Sequence, residues 1–343
     1  MDTWYLENLV CPLDKTPLSL DNDILVSQTG NQYPVVDGVP VMLLKDVRQT
    51  HGAASSSLKV AWDGVDDTNE VSRLFVDTLG ISNSEKRDLV ELVQEDSGNI
   101  DPVVAYVIGA TSGYTYKHLI GDLEEYPIPT LRLPDVNGES FLELGCNWGR
   151  WCIAAARKNY SVVGIDPSLG AIMTARRVAN QLDLDVKYVV ADARYLPFRD
   201  GRFDNVFSYS VLQHMSKADV DAILSEVEKV LSPGGKSLIQ MPNWLGVRSL
   251  YHQFRRGFRK AEKFEVRYWS KSDLKRAFES RVGPSTISVD CYFGLGLQAS
   301  DKHLMPPMIQ AIINLSEGLR SLSKRIGALK YLADSVYIQS IKK

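Results

Sequence analysis

The chain has 343 residues, of which 44% are hydrophobic, and its 39 basic and 42 acidic side chains give a formal net charge of -3. This length and composition allow one large domain, or two smaller domains that each have a core. The slightly acidic balance argues against attraction of the whole protein to nucleic acid, although a local basic patch can still bind it. The longest apolar runs have the length of strands, well short of the ~20 residues of a membrane span.

The amino terminus and the cysteines predict the compartment. Residues 1–7 lack the basic start and the apolar core of a signal peptide. The four cysteines are few and scattered, which is typical of reduced thiols; they are Cys11, Cys146, Cys152 and Cys291. We therefore expect a cytoplasmic protein without a membrane span.

Residues 1–46 have the pattern of a small β-rich unit. A Cys-Pro turn at Cys11 precedes a short apolar strand at 24–26, and residues 32–44 indicate strand, turn and strand. The pattern resembles the small zinc-ribbon-like activator proteins that pair with RNA and protein methyltransferases. A structural zinc site needs about four thiolate or imidazole ligands, but Asp14 stands where a second ligand would be. We expect a unit without metal that serves packing or contact.

Residues 47–135 are predicted to form a linker and a helical cap region. Residues 47–70 are polar and rich in serine, which predicts a linker or loop. They include an acidic cluster of Asp63, Asp66, Asp67 and Glu70. From about residue 70 to 121 the apolar spacing is mostly helical, starting at Val71, and tyrosines follow at 106, 114 and 116. Such elements can cover a cofactor or simply pack, and the sequence leaves both open.

Residues 136–343 contain the strongest pattern. A buried strand at 141–144 leads into a glycine-bearing turn and an Ala-rich helix, which is how a nucleotide-binding α/β domain begins. Apolar strands at 162–166 and 186–192 each end in an acid, and two more follow at 203–210 and after the Pro-Gly-Gly turn at 233–235. A dinucleotide-binding dehydrogenase would share the first turn and acid, but not the second acid or the Pro-Gly-Gly turn.

The series of five elements resembles the class I S-adenosylmethionine-dependent methyltransferases over about residues 139–245. The resemblance implies an α/β, Rossmann-like sheet of seven strands with strand seven antiparallel and helices on both faces. Strands six and seven are expected at 285–293 and 334–342, with a helical insertion at about 300–330 over the substrate opening. Ser270 or Ser272 is expected to cap a helix that precedes strand six.

The resemblance also implies a set of cofactor-binding residues. Gly145 and Gly149 would let the backbone approach S-adenosylmethionine closely, and Asn147, which tolerates a left-handed conformation, replaces a third glycine. The complete expected set is Glu143, Gly145, Asn147, Gly149, Asp166, Asp192, Ala193 and Ser208.

Each of these polar residues has an expected role. Glu143 would balance the sulfonium or bind the amino group of the ligand through water. Asp166 would accept from both ribose hydroxyls, although a helix N-cap is an alternative for it. Asp192 would accept from the adenine amino group, with the amide of Ala193 meeting the ring, and Ser208 would lie beside the methionine part. Two tryptophans, Trp148 and Trp151, either stack on the ligand or fill the core.

Methyl transfer is an in-line displacement, so the protein mainly aligns the reactants and excludes water. A general base is needed only for a protonated acceptor; His214, after the fourth strand, is the candidate, with a structural histidine as the alternative. We predict a methyltransferase that acts on a small molecule or glycan, by O-methylation. An RNA methyltransferase using residues 248–268 and a non-catalytic cofactor-binding partner are the alternatives, and a homodimer stays open.

Overall fold

The computed structural model describes residues 1–64, 72–94, 100–111, 114–294, 296 and 298–343. Three acids of the predicted cluster, the first residue of the helical spacing and one tyrosine side chain lie outside the described part; they are Asp66, Asp67, Glu70, Val71 and Tyr114. The chain forms two compact units. The first contains Met1–Ile128, Leu133–Gly138 and Gly145–Arg199, and the second contains Pro129–Arg132, Glu139–Leu144 and Asp200–Lys343.

A short helix and a small antiparallel sheet form the amino-terminal part. They are α1 (Thr3–Asn8), β1 (Leu18–Asp21), β2 (Ile24–Ser27), β3 (Gln32–Val36) and β4 (Val39–Pro40), with the strands in the order β1-β2-β3-β4. This sheet confirms the predicted small β-rich unit. Asp37 and Gly38, both with positive φ, make the turn between β3 and β4, as the Asp-Gly pair predicts.

Helices follow, and the first of them contradicts the sequence prediction. They are α2 (Gly52–Asp63), α3 (Asn83–Gln94) and α4 (Pro102–Thr111), with 3-10 turns at Ser72–Leu74, Val76–Thr78 and Tyr114–Leu119. The prediction of a linker or loop over 47–70 is therefore wrong for residues 52–63. The side chain of His51 accepts from the amide of Ala53, 3.1 Å away, and Ser57 donates to the Ala53 carbonyl inside the helix. The polar composition of this segment did not indicate the helix, in which Ala53, Ala54 and Ser57 are buried.

Seven strands form the main sheet. They are β5 (Ser140–Leu144), β6 (Ser161–Asp166), β7 (Val186–Val190), β8 (Phe203–Ser208), β9 (Leu231–Pro242), β10 (Ser285–Cys291) and β11 (Ser335–Ile341). Their order is β10-β11-β9-β8-β5-β6-β7. β8 is parallel to both β5 and β9, and β6 is parallel to β7, whereas β11 is antiparallel to both β9 and β10. The order and the antiparallel seventh strand confirm the predicted Rossmann-like sheet.

The helices that alternate with these strands are α5 (Arg150–Ala156), α6 (Leu169–Gln181), α7 (Lys217–Val230), α8 (Val247–Arg255), α9 (Lys271–Arg281) and α10 (Pro307–Ser323). Ser270 caps α9 by accepting from the amide of Asp273 at 3.0 Å, which decides between the two predicted caps. The insertion expected at 300–330 contains α10 between 3-10 turns at Ala299–Leu304 and Gly327–Tyr331. No helix in the described part of the chain is long and apolar enough to cross a membrane.

Amino-terminal residues cover the edge strand β7 within the first unit. The amide of Met42 donates to the carbonyl of Val190 at 2.7 Å, and the hydroxyl of Tyr5 donates to the carbonyl of Tyr188 at 3.0 Å. An isolated bridge also joins Leu9 to Phe198. An exposed edge strand offers unpaired backbone groups to other chains. The amino-terminal part therefore protects an edge of its own chain's sheet.

Polar side chains fill the turn where the zinc-ribbon-like proteins have metal ligands. The carboxylate of Asp14 accepts from the amide and hydroxyl of Thr16 at 2.9 and 2.7 Å, and from Asn31 at 3.2 Å. The hydroxyl of Thr29 also donates to this carboxylate. The Thr29 hydroxyl, followed by the donors of Thr16, holds the pKa of Asp14 well below its usual range. Among the described residues, no group of three His, Cys, Asp or Glu side chains is arranged to hold a metal ion.

Candidate functional site

The turn after β5 is held by the end of β6. The amides of Gly145 and Cys146 both donate to the carbonyl of Ile165, at 2.8 and 2.9 Å. Gly145, Asn147 and Gly149 have φ values of 72, 49 and 83°. The predicted left-handed conformation of Asn147 is therefore confirmed, and asparagine is one of the side chains that tolerate it. The turn keeps its shape without a third glycine.

Asp166, the last residue of β6, faces this turn. Its Oδ2 accepts from the amide of Asn147 at 3.0 Å, and its Oδ1 accepts from the amide of Ser168 at 2.9 Å. Burial raises the pKa of Asp166 to about 6, although both amide donors act in the opposite direction. A carboxylate has about four acceptor positions, so two donors leave room for two more. This acid is oriented by the backbone and still able to accept.

Ser168, and not Asp166, caps α6, so the N-cap alternative for Asp166 is wrong. The Ser168 hydroxyl accepts from the amide of Ala171 at 3.1 Å and donates to the carbonyl of Thr78 at 2.7 Å. The amide of Gly170 donates to the Thr78 hydroxyl at 2.6 Å. The region preceding β5 therefore packs on the first turn of α6, and whether it also covers a cofactor stays untested.

Asp192 has a strong partner in its own chain. Its carboxylate is bound by the guanidinium of Arg194, with contacts of 2.7 Å from Nη2 and 3.2 Å from Nε, and by the amide of Arg194 at 2.9 Å. Arg194 also donates to the carbonyl of Arg48 at 2.7 Å. Ala193 lies half-buried in the same turn. A role of Asp192 toward adenine stays a prediction, and it would share the carboxylate with this guanidinium.

Packing also requires a glycine at position 149, whose predicted role toward a ligand stays a prediction. A Cβ at this position would stand 2.5 Å from the hydroxyl oxygen of Tyr188 and 3.1 Å from Cβ of Ala175. The space beside Gly149 is thus occupied by side chains of β7 and α6, besides the positive φ that disfavours other residues. Trp148 and Trp151 are both buried, and the ring of Trp148 lies 6.0 Å from that of Tyr126. Packing accounts for these three positions.

Two expected site residues belong to the second unit. Glu143 lies on β5 beside Phe207 of β8, and it is 1% exposed. The hydroxyl of Ser208 donates to the carbonyl of Leu144 at 2.9 Å, so its proton already bridges β8 and β5. Their roles toward a cofactor stay predictions.

His214 ends a 3-10 turn, Leu212–His214, just after β8. Its ring stacks on Phe264 with the centroids 3.9 Å apart, and Nδ1 lies 2.6 Å from the carbonyl oxygen of Phe264. Nδ1 therefore carries the ring proton in the neutral side chain. Nε2 is left to accept from the side-chain amide of Gln213, whose nitrogen is 3.1 Å away. These contacts support the structural alternative. A base role requires Nε2 to exchange this amide for a proton of the acceptor.

The sequence analysis missed a buried polar cluster in the second unit. Asp290, at the end of β10, accepts from the hydroxyls of Tyr209 and Ser335 at 2.9 and 2.8 Å and forms an ion pair with Arg132 at 3.2 Å. Gln298 donates to the Tyr209 hydroxyl at 2.7 Å. Burial raises the pKa of Asp290, although Arg132 opposes this rise. The only sequence signal for such a cluster was Asp290 itself, an acid inside the sixth predicted strand. Its partners could not be identified because they are remote in sequence.

Breaking this cluster should destabilise the protein. We expect Arg132→Met to lower the free energy of unfolding by about 3 kcal/mol, because the Asp290 carboxylate would stay buried without its cation. The double change Arg132→Met with Asp290→Asn should cost less than Arg132→Met alone. Denaturant unfolding of the variants measures this. Arg276→Met is the matched control, since its pair with Asp273 is exposed and should contribute less than about 1 kcal/mol.

The sheet order and the acid-bearing turn define a Rossmann-like α/β domain. Residues 141–235 match the family described as a methyltransferase domain, which is less than a third of the chain. The ubiquinone biosynthesis O-methyltransferase of Brucella ovis is 33% identical over 108 residues, which are 32% of this chain and 43% of that protein. An uncharacterized methyltransferase of Synechocystis sp. is 33% identical over 129 residues, 36% of this chain and 59% of its own.

The chain is also similar to solved structures. The YcgJ protein of Bacillus subtilis matches 62% of this chain and 94% of its own, with a TM-score of 0.43 and 19% sequence identity. The two curated relatives, in contrast, are matched over 43% and 59% of their length.

Proposed function

We propose that the protein is an S-adenosylmethionine-dependent methyltransferase. The observation that carries the proposal is the carboxylate of Asp166, which two backbone amides orient at the end of β6. A carboxylate held in this way can accept from two neighbouring hydroxyls, as a ribose presents them. The methyltransferase-domain match over residues 141–235 supports the same reading.

The residues of the first unit fit this cofactor. The turn Gly145–Gly149 would hold its methionine part, Asp166 its ribose, and Asp192 with Ala193 its adenine. The fit rests on the turn with three left-handed residues and on the acceptor capacity that Asp166 retains after its two amide bonds.

When bound, the cofactor supplies a methyl group activated by a sulfonium. The protein then has to orient the acceptor and receive its proton where the acceptor is a hydroxyl. His214 is the proposed base through Nε2. Nδ1 donates to the carbonyl of Phe264, so Nε2 carries the ring lone pair, and it would receive the proton of the acceptor after exchanging its contact with the Gln213 side chain. The stacked Phe264 ring and the hydrogen bond at Nδ1 hold the imidazole in one orientation.

The acceptor is proposed to be a hydroxyl of a small molecule or glycan. The name of the Brucella ovis relative, an O-methyltransferase, supports oxygen as the acceptor atom. The test is transfer of labelled methyl from S-adenosylmethionine to a panel of phenols, sugars and RNA, with Asp166→Ala, at a low cofactor concentration, as the variant of reduced activity. Transfer to a hydroxyl supports the proposal. Cofactor binding with no transfer to any acceptor indicates the non-catalytic alternative, and transfer to RNA alone indicates an RNA methyltransferase.

Cofactor affinity should depend on pH through Asp166. With its pKa at about 6, the carboxylate that accepts from ribose is ionised at pH 8 and mostly protonated at pH 5. We expect the dissociation constant to rise about tenfold between these two pH values, because only the ionised form offers all its acceptors. Calorimetric titration across this range measures the change. Asp166→Asn should bind weakly with a flat profile, and an equal slope in both proteins would place the titrating group elsewhere.

A further inference from the structure

Helix α8 turns its apolar face to solvent. Val247, Leu250, Tyr251 and Phe254 follow the spacing i, i+3, i+4 and i+7, which places them on one side of the helix. All four are exposed, and Phe254 is 71% exposed. In an ordinary surface helix this face packs against the core. In the part of the chain that the structure describes, it stays uncovered.

Polar groups hold the other side of α8. The amide of Ser249 donates to Oδ1 of Asp334 at 2.7 Å, and the side chain of Gln253 donates to the carbonyl of Trp244 at 2.8 Å. Just before the helix, the side chain of Asn243 donates to the carbonyls of Tyr331 and Ala333. These bonds fix α8 without its apolar face. The exposed face is therefore available for a partner at little cost to the fold.

The exposed apolar surface extends beyond the helix on both sides. Trp244 precedes it, and Phe258 and Phe264 follow it, and all three are exposed. The rings of Phe254 and Phe258 meet edge to face at 6.4 Å. We call residues 244–267 the α8 surface. Contiguous exposed apolar area of this kind marks an interaction site more often than single exposed side chains do.

The α8 surface is strongly basic although the whole chain is acidic. It contains seven Lys and Arg residues against two Glu residues, while the chain has a net charge of -3. The basic residues are Arg248, Arg255, Arg256, Arg259, Lys260, Lys263 and Arg267. Arg255, Arg256 and Arg259 also line a cleft of about 460 Å³ beside the helix. Arg259 donates to both carboxylate oxygens of Glu265 at 2.7 Å, so the donors offered to phosphate groups would come mainly from Arg248 and Arg255, which border the apolar face.

We propose that the α8 surface binds an anionic lipid bilayer, with α8 lying in the plane of the headgroups. Its exposed face would enter the boundary of the acyl chains, and the arginines beside it would contact lipid phosphates. A helix with an apolar face of Leu, Phe and Tyr beside basic residues is the type that binds at membrane interfaces. Basic residues near an anionic membrane surface add attraction. The inference goes beyond the proposed function and does not depend on it.

The charge and the apolar side chains also decide against two other partners. A second copy of the chain would bring the same positive charge against this one, which opposes a symmetric contact through the α8 surface. Single-stranded RNA could stack its bases on the exposed rings, but Val247 and Leu250, which complete the apolar face, would gain nothing from such stacking. A bilayer matches both the charge and the aliphatic side chains.

Co-sedimentation of the full chain with vesicles tests the proposal. We expect binding to phosphatidylcholine vesicles that contain about 30% phosphatidylglycerol, and much weaker binding to phosphatidylcholine alone. The double change Leu250→Ala with Phe254→Ala should lower the partition coefficient about tenfold or more, because it removes inserted apolar area. Arg248→Gln with Arg255→Gln should lower it as well and weaken its dependence on salt.

Two matched controls lie on other helices of the same unit. Met308→Ala with Leu315→Ala removes exposed apolar side chains from α10, which are 72% and 56% exposed. Lys275→Gln with Arg276→Gln removes two exposed cations from α9. Both controls should sediment with anionic vesicles like the wild type. Circular dichroism of each variant shows whether it is folded, and the charge variant provides the test if the apolar variant does not fold.

Three results would overturn the proposal. One is equal binding to neutral and anionic vesicles, or binding that the α8 variants do not reduce. Another is that the protein binds a homopolymeric RNA but does not bind the vesicles at the same salt concentration. The third is that light scattering shows a dimer for the wild type and a monomer for the α8 variants, while the wild type does not bind the vesicles. Loss of vesicle binding leaves the methyl-transfer assay unaffected, so the two proposals fail separately.

Discussion

Asp166→Ala is expected to raise the dissociation constant for S-adenosylmethionine by about tenfold to a hundredfold. Hydrogen bonds to a charged group are worth about 1.5–3 kcal/mol, and the ribose would lose its acceptor. The loss should appear in the enthalpy of binding as well, because the Asp166 carboxylate is already oriented by the amides of Asn147 and Ser168 before any ligand arrives. Isothermal titration calorimetry of both proteins at pH 8 measures it.

The control for this experiment is Asp185→Ala, which removes a carboxylate that is 85% exposed and paired with Lys187 in the same unit. Its affinity should equal that of the wild type. Asp166→Asn keeps one carbonyl acceptor, so its affinity for the cofactor should lie between those of the wild type and Asp166→Ala. If the wild type binds and Asp166→Ala binds equally well, the ribose role of Asp166 is wrong. If the wild type does not bind, the cofactor assignment itself is wrong.

Gly149→Ala is expected to lower the free energy of unfolding by about 2–5 kcal/mol. The left-handed backbone costs a residue with a Cβ about 1–2 kcal/mol, and overpacking adds about 1–3 kcal/mol. The overpacking arises because the new Cβ would stand 2.5 Å from the Tyr188 hydroxyl oxygen. Denaturant unfolding at constant pH measures the change. Because the turn Gly145–Gly149 must then shift, cofactor affinity should fall too.

Two variants separate the backbone cost from the packing cost. Gly201 has a φ of 68° and open space around its Cβ position, so Gly201→Ala should lose only the backbone part, about 1–2 kcal/mol. Tyr188→Phe removes the atom nearest to the new Cβ. The double variant Tyr188→Phe with Gly149→Ala should therefore lose about 1 kcal/mol less free energy of unfolding than the two single variants lose together. Strict additivity would contradict the contact between Gly149 and Tyr188.

Local patterns predicted the main sheet well. The parallel strands are mostly buried and therefore mostly apolar, and each ends near a turn residue, so the sequence pattern alone gives its position. The final strand was predicted at 334–342 and is found at Ser335–Ile341. Ser270 capped its helix as one of two predicted candidates. Asn147 adopts the left-handed backbone that its side-chain type allows.

Contacts between distant segments were not predictable in this way. The polar composition of residues 47–70 pointed to a loop, but α2 forms there because Ala53, Ala54 and Ser57 are buried within the first unit. The packing of Gly149 against the Tyr188 hydroxyl was also not visible in the sequence. In both cases the reason lies in a packing partner that no local window contains.

The chain's alternation of apolar runs, turns and acids was sufficient to place the strands of the main sheet, because strand periodicity and turn chemistry are local properties. The family resemblance that these residues carry implied the Rossmann-like sheet and singled out Asp166. Tertiary structure alone decided which of these acids keeps acceptor capacity, since Arg194 binds Asp192 while Asp166 meets two backbone amides. It also decided that the apolar face of α8 points outward. An amphipathic helix has the same sequence pattern whether its apolar face is buried or exposed, and the polar bonds that hold α8 by its other side come from residues as far away as Asp334.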